Sequence, residues 1–503
     1  MKNARGALFV ALLIAIVHAV FAIVYASETP YRTPGRILIY GGTQAPDIGA
    51  PDERQHANYI QTLLDSNGFP VFAPGGPNAG EHYEDHQPPL FYLAEAGFAK
   101  ILGISSVEDP VAARLRWLNA LFGALTVLGV YALGVWGLGR FDVALGACAI
   151  TAFLPMNCAL SGAISNDPLL FAICTWTLAV CALAVRQGWS MKLAILAGVL
   201  AGLGILTKTT AVALLPILLL AILLPQKRRP TYGMAAIALF LVLVLAGPWL
   251  IRNQRLYGDP LALKAFNQAF TGSRQKVDQV AQIEYEDQRL GIEANPQVQY
   301  WRDWVGWWTA RSFFGVFGYM DIWLNENGSP YQSLRTPQEP PNIAYRVLLA
   351  ISLILFLAWL GSFFLPEWKE ARPVQLLNAA FLAIVMLLFI RFNMQYFQGQ
   401  GRYLYPAIGP IAIALSVGCF VLLRNRGAVA VAAMAMLLLL VNVYAVAKLP
   451  DDFARRTSVA KLEGGFGASS SLREQQSTAS AHHLTTSIPT SAPSSPSSPS
   501  SPS

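Results

Sequence analysis

Long apolar runs, separated by short polar segments, occupy most of the chain. Runs of roughly 18 or more apolar residues are typical of transmembrane helices, because about 20 helical residues are needed to cross the hydrocarbon core. A bilayer requires internal bonding of every backbone polar group, which favours helices, and these runs lack the alternation of a barrel strand. The pattern therefore predicts an all-α polytopic membrane protein.

The apolar runs predict about 11 transmembrane helices. The short loops on one side carry Lys and Arg, so the positive-inside rule places that side in the cytoplasm, together with the N terminus. Two large loops, 27–116 and 251–342, are then predicted to lie outside, within one domain, 1–449. The predicted spans are 7–25, 117–137, 142–156, 168–185, two short helices within 192–224, 232–250, 343–365, 374–391, 403–423 and 427–447.

The two ends of the chain differ from this pattern. Residues 7–25 resemble a signal peptide, but the run is longer than a usual signal core and many spans follow, which favours an uncleaved helix. Residues 450–503 become rich in Ser, Pro and Thr, so a disordered tail is predicted.

Composition supports a membrane protein, since 54% of the residues are hydrophobic and only 13% are charged. The net charge of +7 does not indicate nucleic-acid binding, because Lys and Arg lie in short loops between apolar runs. The five cysteines lie in or beside apolar segments, and no disulfide is predicted from their positions.

One polar stretch, residues 51–90, concentrates side chains that can do chemistry. Asp52, Glu53 and His56 are predicted to lie on one helix, since the proline at position 51 suits a first helical turn. Residues three or four positions apart share a helix face, so His56 can approach one of the acids while the two acids diverge. The alternative is a solvated helix start, where acids are favoured by the helix dipole.

The second part of this stretch reads EHYEDHQPP, at 81–89, and leads into a short apolar helix at 88–103. That helix is too short and too charged for a span and is predicted to lie at the membrane interface. Histidines and carboxylates can bind a divalent metal, although no strict ligand spacing is present. The alternative is a polar loop stiffened by Pro88 and Pro89.

Three cations, Lys208, Arg252 and Arg402, are predicted at the outer ends of helices. Each alone could snorkel to the interface. Together, on the side of the acidic loop, they would suit a lipid phosphate, which Arg can bind through two hydrogen bonds. Four tryptophans within 300–308 predict a helix on the outer surface, either as an anchor or as a sugar or lipid site.

Several short motifs occur together in an order typical of a known family. The motifs are DERQH at 52–56, YEDHQPPLFY at 83–92, AARL at 112–115, SNDPL at 165–169, GLGILTK at 202–208, GPWLIRN at 247–253 and QGRYLYP at 400–406. Through them, residues 1 to about 447 resemble the GT-C membrane glycosyltransferases, and most of all bacterial relatives of the protein mannosyltransferases and aminoarabinose transferases.

The resemblance implies an inverting transferase in a bacterial inner membrane, with its site facing the periplasm. The donor it implies is a polyprenyl-phosphate-linked sugar, and the acceptor is an envelope lipid, glycan or protein. Gln87 separates His86 from Pro88, unlike in the protein mannosyltransferases, which argues against a protein acceptor. The resemblance implies no cofactor with certainty, and a divalent metal is a candidate.

The resemblance also assigns roles to residues. A departing phosphate needs no protonating acid, so the reaction requires a base for the acceptor hydroxyl and positive charge on the phosphate. The catalytic candidates implied are Asp52, Glu53 and Glu84. The substrate-binding candidates are His56, His86, Asp167, Lys208, Arg252, Arg402 and Tyr403.

Two other functions are compatible with these residues. A lipid-sugar transporter or accessory protein of the same fold would use the cations but would not need Asp52. A metal-dependent lipid phosphatase or phosphotransferase would bind its metal through the histidine-rich loop and would lose activity on chelation.

Overall fold

The computed structural model describes residues 2–38, 42–66, 68–224, 232–270, 296–324 and 343–463, and most of them are helical. The first nine helices are α1 (Lys2–Glu28), α2 (Glu53–Leu64), α3 (Leu90–Ile101), α4 (Arg116–Ala132), α5 (Phe141–Phe153), α6 (Pro155–Ser161), α7 (Asp167–Gln187), α8 (Met191–Thr207) and α9 (Leu214–Leu223). They are followed by α10 (Tyr232–Tyr257), α11 (Leu263–Ala269), α12 (Pro296–Gln299), α13 (Trp307–Phe314), α14 (Ile343–Ser362), α15 (Arg372–Asn393), α16 (Ile408–Leu423) and α17 (Gly427–Glu463).

Shorter elements join or extend these helices. Two antiparallel hairpins lie in the large loops: β1 (Gly35–Ile37) pairs with β2 (Thr43–Ala45), and β3 (Val316–Phe317) pairs with β4 (Ile322–Trp323). Two π-helices occur, Leu133–Leu138 and Tyr300–Gly306. The 3-10 helices are Tyr83–His86, Pro110–Leu115, Thr209–Ala213, Pro366–Ala371, Gly401–Ala407 and Arg424–Arg426.

The chain is a multi-pass membrane protein by the length and composition of its helices. Seven segments of the described chain can cross a membrane, and α5–α6, which is bent by 66°, makes an eighth if it is one span. A helix lies at each predicted position, but the predicted count of about 11 spans is not confirmed. The difference comes from α8 and α9, which are shorter, and from α16 and α17, which together make one of the seven segments although the turn Arg424–Arg426 joins them and they pack on each other.

The helices pack closely through small residues. α4 packs on α1 and α7, α8 on α10, and α14 on α16. A Cβ at Gly418 of α16 would lie 2.0 Å from the Leu355 carbonyl oxygen of α14, so only glycine permits this approach. Close backbone contact of this kind stabilises helix pairs in lipid. Exposed apolar side chains along α1, α10 and α14 face outward, as contact with lipid requires.

The first large loop forms a compact layer around α2 and α3. The rings of Tyr59 and Tyr92 are buried and stack with centroids 3.7 Å apart, and Phe91 packs beside them. α3 has 12 residues, too few for a span, as predicted for the interfacial helix at 88–103.

α17 continues past residue 449, the predicted end of the membrane domain. Phe453 is buried, and Arg456 donates to the Asp321 carboxylate beside β4 at 2.8 Å. The same carboxylate accepts the Leu38 backbone N–H at 3.1 Å. The end of α17 therefore links both large loops. Residues 450–463 are helical, and the rest of the predicted tail, 464–503, lies outside the described residues.

The tryptophan-rich stretch, predicted to lie on the outer surface as an anchor or as a sugar or lipid site, buries two of its four tryptophans. Trp304 and Trp308 are buried, where they pack against Phe397 and Trp323 with ring centroids 5.2 and 5.0 Å apart. The stretch is a π-helix followed by α13, so the side-chain spacing of a regular helix does not apply to it.

Candidate active site

Asp52 begins α2 in an unusual backbone conformation. Its carbonyl oxygen accepts the N–H of His56 at 3.0 Å, and its φ of 64° lies in the left-handed region. Non-glycine residues seldom adopt this conformation, and such strain collects at functional sites. The carboxylate does not cap the helix; it accepts hydrogen bonds from the Tyr83 hydroxyl and the Arg402 guanidinium instead.

Arg402 is oriented by the docking of its 3-10 helix, Gly401–Ala407, on α13. The Gly401 N–H donates to the Ser312 hydroxyl at 2.8 Å. A Cβ on this glycine would lie 2.4 Å from the Phe313 nitrogen, so a side chain cannot be placed there. This close contact directs Arg402, whose side chain is buried, toward Asp52.

A second acid and a second cation extend this contact. Asp167, the first residue of α7, accepts a hydrogen bond from the Lys208 ammonium at 2.5 Å. The Arg402 guanidinium lies 4.0 Å from the Asp167 carboxylate, so it stands between the two acids. We refer to Asp52, Arg402, Asp167 and Lys208 as the charged network. Its two negative and two positive formal charges cancel.

The surroundings of Asp52 keep its carboxylate ionised. Burial alone would raise the pKa of Asp52, but the Arg402 guanidinium and the Tyr83 hydroxyl outweigh burial and lower that pKa to about 2. The side chain is still 25% exposed, so a ligand can reach it. While Arg402 holds it, this carboxylate is a weak base.

Glu84 and His56 form an uncharged part of the site. Burial raises the pKa of Glu84 to about 8, and the charge of Asp52 adds to this effect. Burial also lowers the pKa of His56 to about 3. The His56 Nδ1 lies 2.9 Å from the Tyr92 hydroxyl and 3.9 Å from the Glu84 carboxylate, so its hydrogen bond goes to Tyr92 and not to an acid of its own helix.

Glu84 has spare hydrogen-bonding capacity. Its Oε2 atom is buried and has no hydrogen-bond partner in the described part of the chain. A protonated carboxyl group can donate one hydrogen bond as well as accept others. Buried polar atoms without partners are uncommon and call for an explanation, such as a ligand or a water.

His86 and Tyr403 border the charged network. The His86 Nδ1 lies 2.5 Å from the Tyr83 carbonyl oxygen, and its ring packs against Phe72 and Phe266 with centroids 5.9 and 5.5 Å apart. Burial lowers the pKa of His86 to about 4. The Tyr403 ring centroid lies 5.3 Å from the Arg402 guanidinium carbon, within cation–π range. Aromatic surfaces therefore flank the charges.

Glu53 points away from Asp52, as expected for adjacent helix residues. It is fully buried, and its carboxylate oxygens accept hydrogen bonds from Arg116 at 2.7 and 2.5 Å. One of them also accepts the Ile164 N–H at 2.8 Å. Glu53 therefore ties α2 to the start of α4 and to the segment before α7, and both its oxygens are occupied.

The structure does not bring Arg252 into the charged network. Its guanidinium donates to the Phe69 and Pro70 carbonyls at 3.3 and 2.7 Å and lies 4.4 Å from the centroid of the Trp249 ring. Arg252 holds the first loop against α10. Of the three cations singled out in the sequence, Lys208 and Arg402 come together at Asp167, and Arg252 lies apart from them.

Two residues of the site were not anticipated. Tyr83 bonds to Asp52, and Arg116 neutralises Glu53. Tyr83 lies inside the histidine-rich stretch, but its hydroxyl gave no sign of a partner 31 positions away. Arg116 follows the AARL motif at the start of a predicted span, where a single Arg resembles an ordinary interfacial charge.

The described residues do not fit a metal ion. No group of three His, Cys, Asp or Glu side chains among them is placed to hold one. In the histidine-rich loop, His82 pairs with Asp85 at 3.1 Å, while His86 bonds to a backbone carbonyl. Asp52 and Asp167 are already engaged by Arg402 and Lys208.

An apolar cavity of about 450 Å³ lies next to the helix that carries Arg402. Leu404, two residues after Arg402, lines it, and so does Phe313 of α13. The other lining residues come from the π-helix before α13 and from α13, α14, α15 and α16: Trp301, Val305, Gly306, Thr309, Ala310, Phe314, Leu349, Ser352, Leu353, Phe356, Met386, Phe389, Ile390, Ile411 and Leu415.

In the sequence comparison, a family matches a part of the chain that contains two residues of the charged network. The family described as dolichyl-phosphate-mannose-protein mannosyltransferase matches residues 86–251. That range includes Asp167 and Lys208 but neither Asp52 nor Arg402. No curated protein matches the chain.

Comparison by structure covers more of the chain. The oligosaccharyltransferase of Archaeoglobus fulgidus in its apo form is similar with a TM-score of 0.50 and 15% identity, over 88% of this chain and 56% of that one. The chain has a GT-C fold. The fold that the resemblance implies is thereby confirmed, and the family match over residues 86–251 agrees with it.

Two other GT-C structures are also similar to this chain, with lower TM-scores. The archaeal enzyme in complex with an inhibitory peptide and a dolichol-phosphate has a TM-score of 0.49 and 15% identity, over 96% of this chain and 61% of that one. ArnT from Cupriavidus metallidurans bound to undecaprenyl phosphate has a TM-score of 0.37 and 15% identity, over 83% of this chain and 77% of that one. The chain spans little more than half of the archaeal chain in its apo form.

Proposed function

We propose that this protein transfers a sugar from a polyprenyl-phosphate carrier to an acceptor in the cell envelope, at the outer face of a bacterial inner membrane. The observation that carries the proposal is the charged network, in which a partly exposed carboxylate contacts one of two adjacent cations. The GT-C fold supports it, and so does the matched family, whose description names a sugar linked to a dolichyl phosphate.

Arg402 and Lys208 hold the phosphate of the donor. A guanidinium can bind two phosphate oxygens at once, and an ammonium adds a second positive charge. The isoprenoid chain then leaves the phosphate along apolar surface. The cavity lined by Leu404 lies against the 3-10 helix that carries Arg402, and it suits part of such a chain.

The transfer is a direct displacement at the anomeric carbon. The acceptor hydroxyl oxygen forms a bond to this carbon as the bond from the carbon to the phosphate oxygen breaks. The electron pair of the broken bond leaves on the phosphate, where Arg402 and Lys208 stabilise the charge. The hydroxyl proton passes to Asp52, and the anomeric carbon is inverted.

The uncharged groups contact the sugar. Protonated Glu84 donates a hydrogen bond to a sugar hydroxyl, which uses the capacity left free at Oε2. Neutral His56 supports this region through Tyr92. The rings around His86 and Tyr403 offer apolar surface to the sugar or to the first isoprene unit. Glu53 positions α2 and takes no proton.

Mass spectrometry of cell-envelope glycans tests the proposal. Cells with the wild-type protein, without it, and with Arg402→Ala are compared. One glycan modification should be present with the wild type and absent both without the protein and with Arg402→Ala. Arg140→Ala, which removes an exposed cation paired with Asp142, is the matched control and should retain the modification. Identical glycans in all four strains would refute a transferase. Retention of the modification by Asp52→Asn would favour the transporter.

A further inference from the structure

The charged network leaves no cation unoccupied in this part of the chain. Arg402 forms an ion pair with Asp52 and lies near Asp167, and Lys208 forms an ion pair with Asp167. The other nearby cations of the described site are engaged as well, since Arg116 binds Glu53 and Arg252 binds backbone carbonyls. A phosphate that enters here therefore competes with the carboxylates for these cations.

The two carboxylates differ in how readily they can be displaced. The Asp167 side chain is 5% exposed, so losing its cations would leave a buried, unpaired charge at high cost. The Asp52 side chain is 25% exposed, so water can replace the guanidinium there. The Tyr83 hydroxyl also stays bonded to Asp52 and keeps the carboxylate in place. Asp52 is therefore the carboxylate that an incoming phosphate displaces from its cation.

Arg402 already presents a donor for an incoming anion. Its Nε is buried and has no hydrogen-bond partner among the described residues, while one terminal nitrogen contacts Asp52. A phosphate that takes both positions would make the two-bond contact that guanidinium groups favour. An unpartnered buried donor at this point is what an anion site requires before its ligand arrives.

We propose that Arg402 holds Asp52 until the donor phosphate displaces it, so that the catalytic base becomes available only in the donor complex. This rests on the proposed function and adds an order of events, with donor binding before proton transfer. A base that is tied up in the empty enzyme also cannot activate water or acceptor without a donor. Asp52 and the phosphate are then competitors for one guanidinium.

Competition makes an unusual prediction about binding. Removing the charge of Asp52 should tighten phosphate binding, because the phosphate no longer displaces a carboxylate. The full-length protein in nanodiscs is titrated with farnesyl phosphate, and Asp52→Asn should lower the Kd about tenfold, in line with one charge-assisted contact. The matched control is Asp142→Asn, which removes an acid from an exposed pair with Arg140 and should leave the Kd unchanged.

Three results separate this inference from the proposed function. If Arg402→Ala leaves the Kd unchanged, the phosphate site of the proposed function is wrong. If Arg402→Ala weakens binding but Asp52→Asn does not tighten it, only the competition is wrong. Inorganic phosphate should show the same rank order of variants, and tightening confined to farnesyl phosphate would assign the effect to the lipid chain and refute competition. Asp52→Ser, which also lacks the charge, replaces Asp52→Asn if that variant fails to fold.

Discussion

Asp52 and Glu53 are neighbours in the sequence with opposite surroundings. Asp52 is partly exposed, adopts a left-handed backbone conformation and shares its cation with a second acid. Glu53 is fully buried, and both of its oxygens are bonded to one arginine. An acid-to-amide change at each position should therefore separate a loss of chemistry from a loss of stability.

Asp52→Asn should be nearly inactive but folded. The amide cannot accept the acceptor proton, and the loss of a general base slows turnover about 100-fold to 10,000-fold. Turnover with a fixed polyprenyl-phosphate sugar and the melting temperature are measured on the same preparation. Near-normal turnover would remove Asp52 from the mechanism.

Glu53→Gln should instead lower stability. The change leaves the buried guanidinium of Arg116 without a counter-charge, and breaking a buried pair costs about 3–5 kcal/mol. The melting temperature should fall well below that of Asp52→Asn, with residual turnover in the fraction that remains folded. A stable but inactive Glu53→Gln would indicate that Glu53 is the catalytic base and that Asp52 has the structural role.

Glu84 should make stability depend on pH. Burial raises the pKa of Glu84 from its ordinary value of 4.5, which applies to the unfolded chain, to about 8 in the folded protein. Between these values the folded state holds a proton that the unfolded state has lost, so this stabilisation decreases as pH rises from about 4.5 to about 8. The melting temperature of Glu84→Gln relative to wild type should therefore rise across this window. A constant difference would show that Glu84 is ionised in the folded protein.

At the scale of elements, α17 is longer than its composition indicated. Apolar content predicted its membrane part, but the helix continues through Asp452 and Arg456, which are both buried. Arg456 pairs with Asp321 of the second large loop, whereas Asp452 pairs with Lys448 of its own helix. Charged residues near a Ser/Pro-rich tail do not reveal such partners. The π-helix before α13 was also unpredictable, because an inserted residue in a helical turn has no periodic signature.

Two truncations should distinguish the end of α17 from the tail. Ending the chain after residue 465 removes only the Ser/Pro-rich segment and should leave melting temperature and activity within error. Ending it after residue 449 removes Phe453 and Arg456 and leaves Asp321 buried without its cation, so stability should fall markedly. Equal behaviour of the two proteins would show that the link between the loops is dispensable.

At the scale of the whole molecule, the positive-inside rule predicts that the charged network faces the periplasm. Ser66→Cys lies on an exposed turn after α2 and should react with an impermeant maleimide in intact spheroplasts. Arg426→Cys, exposed on the opposite side of the predicted topology, should react only after permeabilisation. The five native cysteines are buried and supply a low background. The reverse labelling pattern would invert the topology. Ser329, a second predicted outer position, lies outside the described residues.

The sequence predicted which residue types form the site better than how they pair. Acids of the first loop and cations at helix ends follow from local motifs, and Asp52, Lys208 and Arg402 do meet. The pairing of each cation with its acid depends on the packing of α7, α8 and α13. No local sequence pattern encodes this packing. Arg252 has the same kind of position in the sequence as Arg402, yet it bonds to backbone carbonyls.

The contact between Asp52 and Arg402 joins positions 350 residues apart. During synthesis the first loop therefore emerges long before the segment that completes the site. Until the last helices are inserted, a nascent chain has neither Arg402 nor the packing that orients it. If the proposed function is correct, copies of the protein that end before Arg402 lack the group that binds the donor phosphate and consume no lipid carrier.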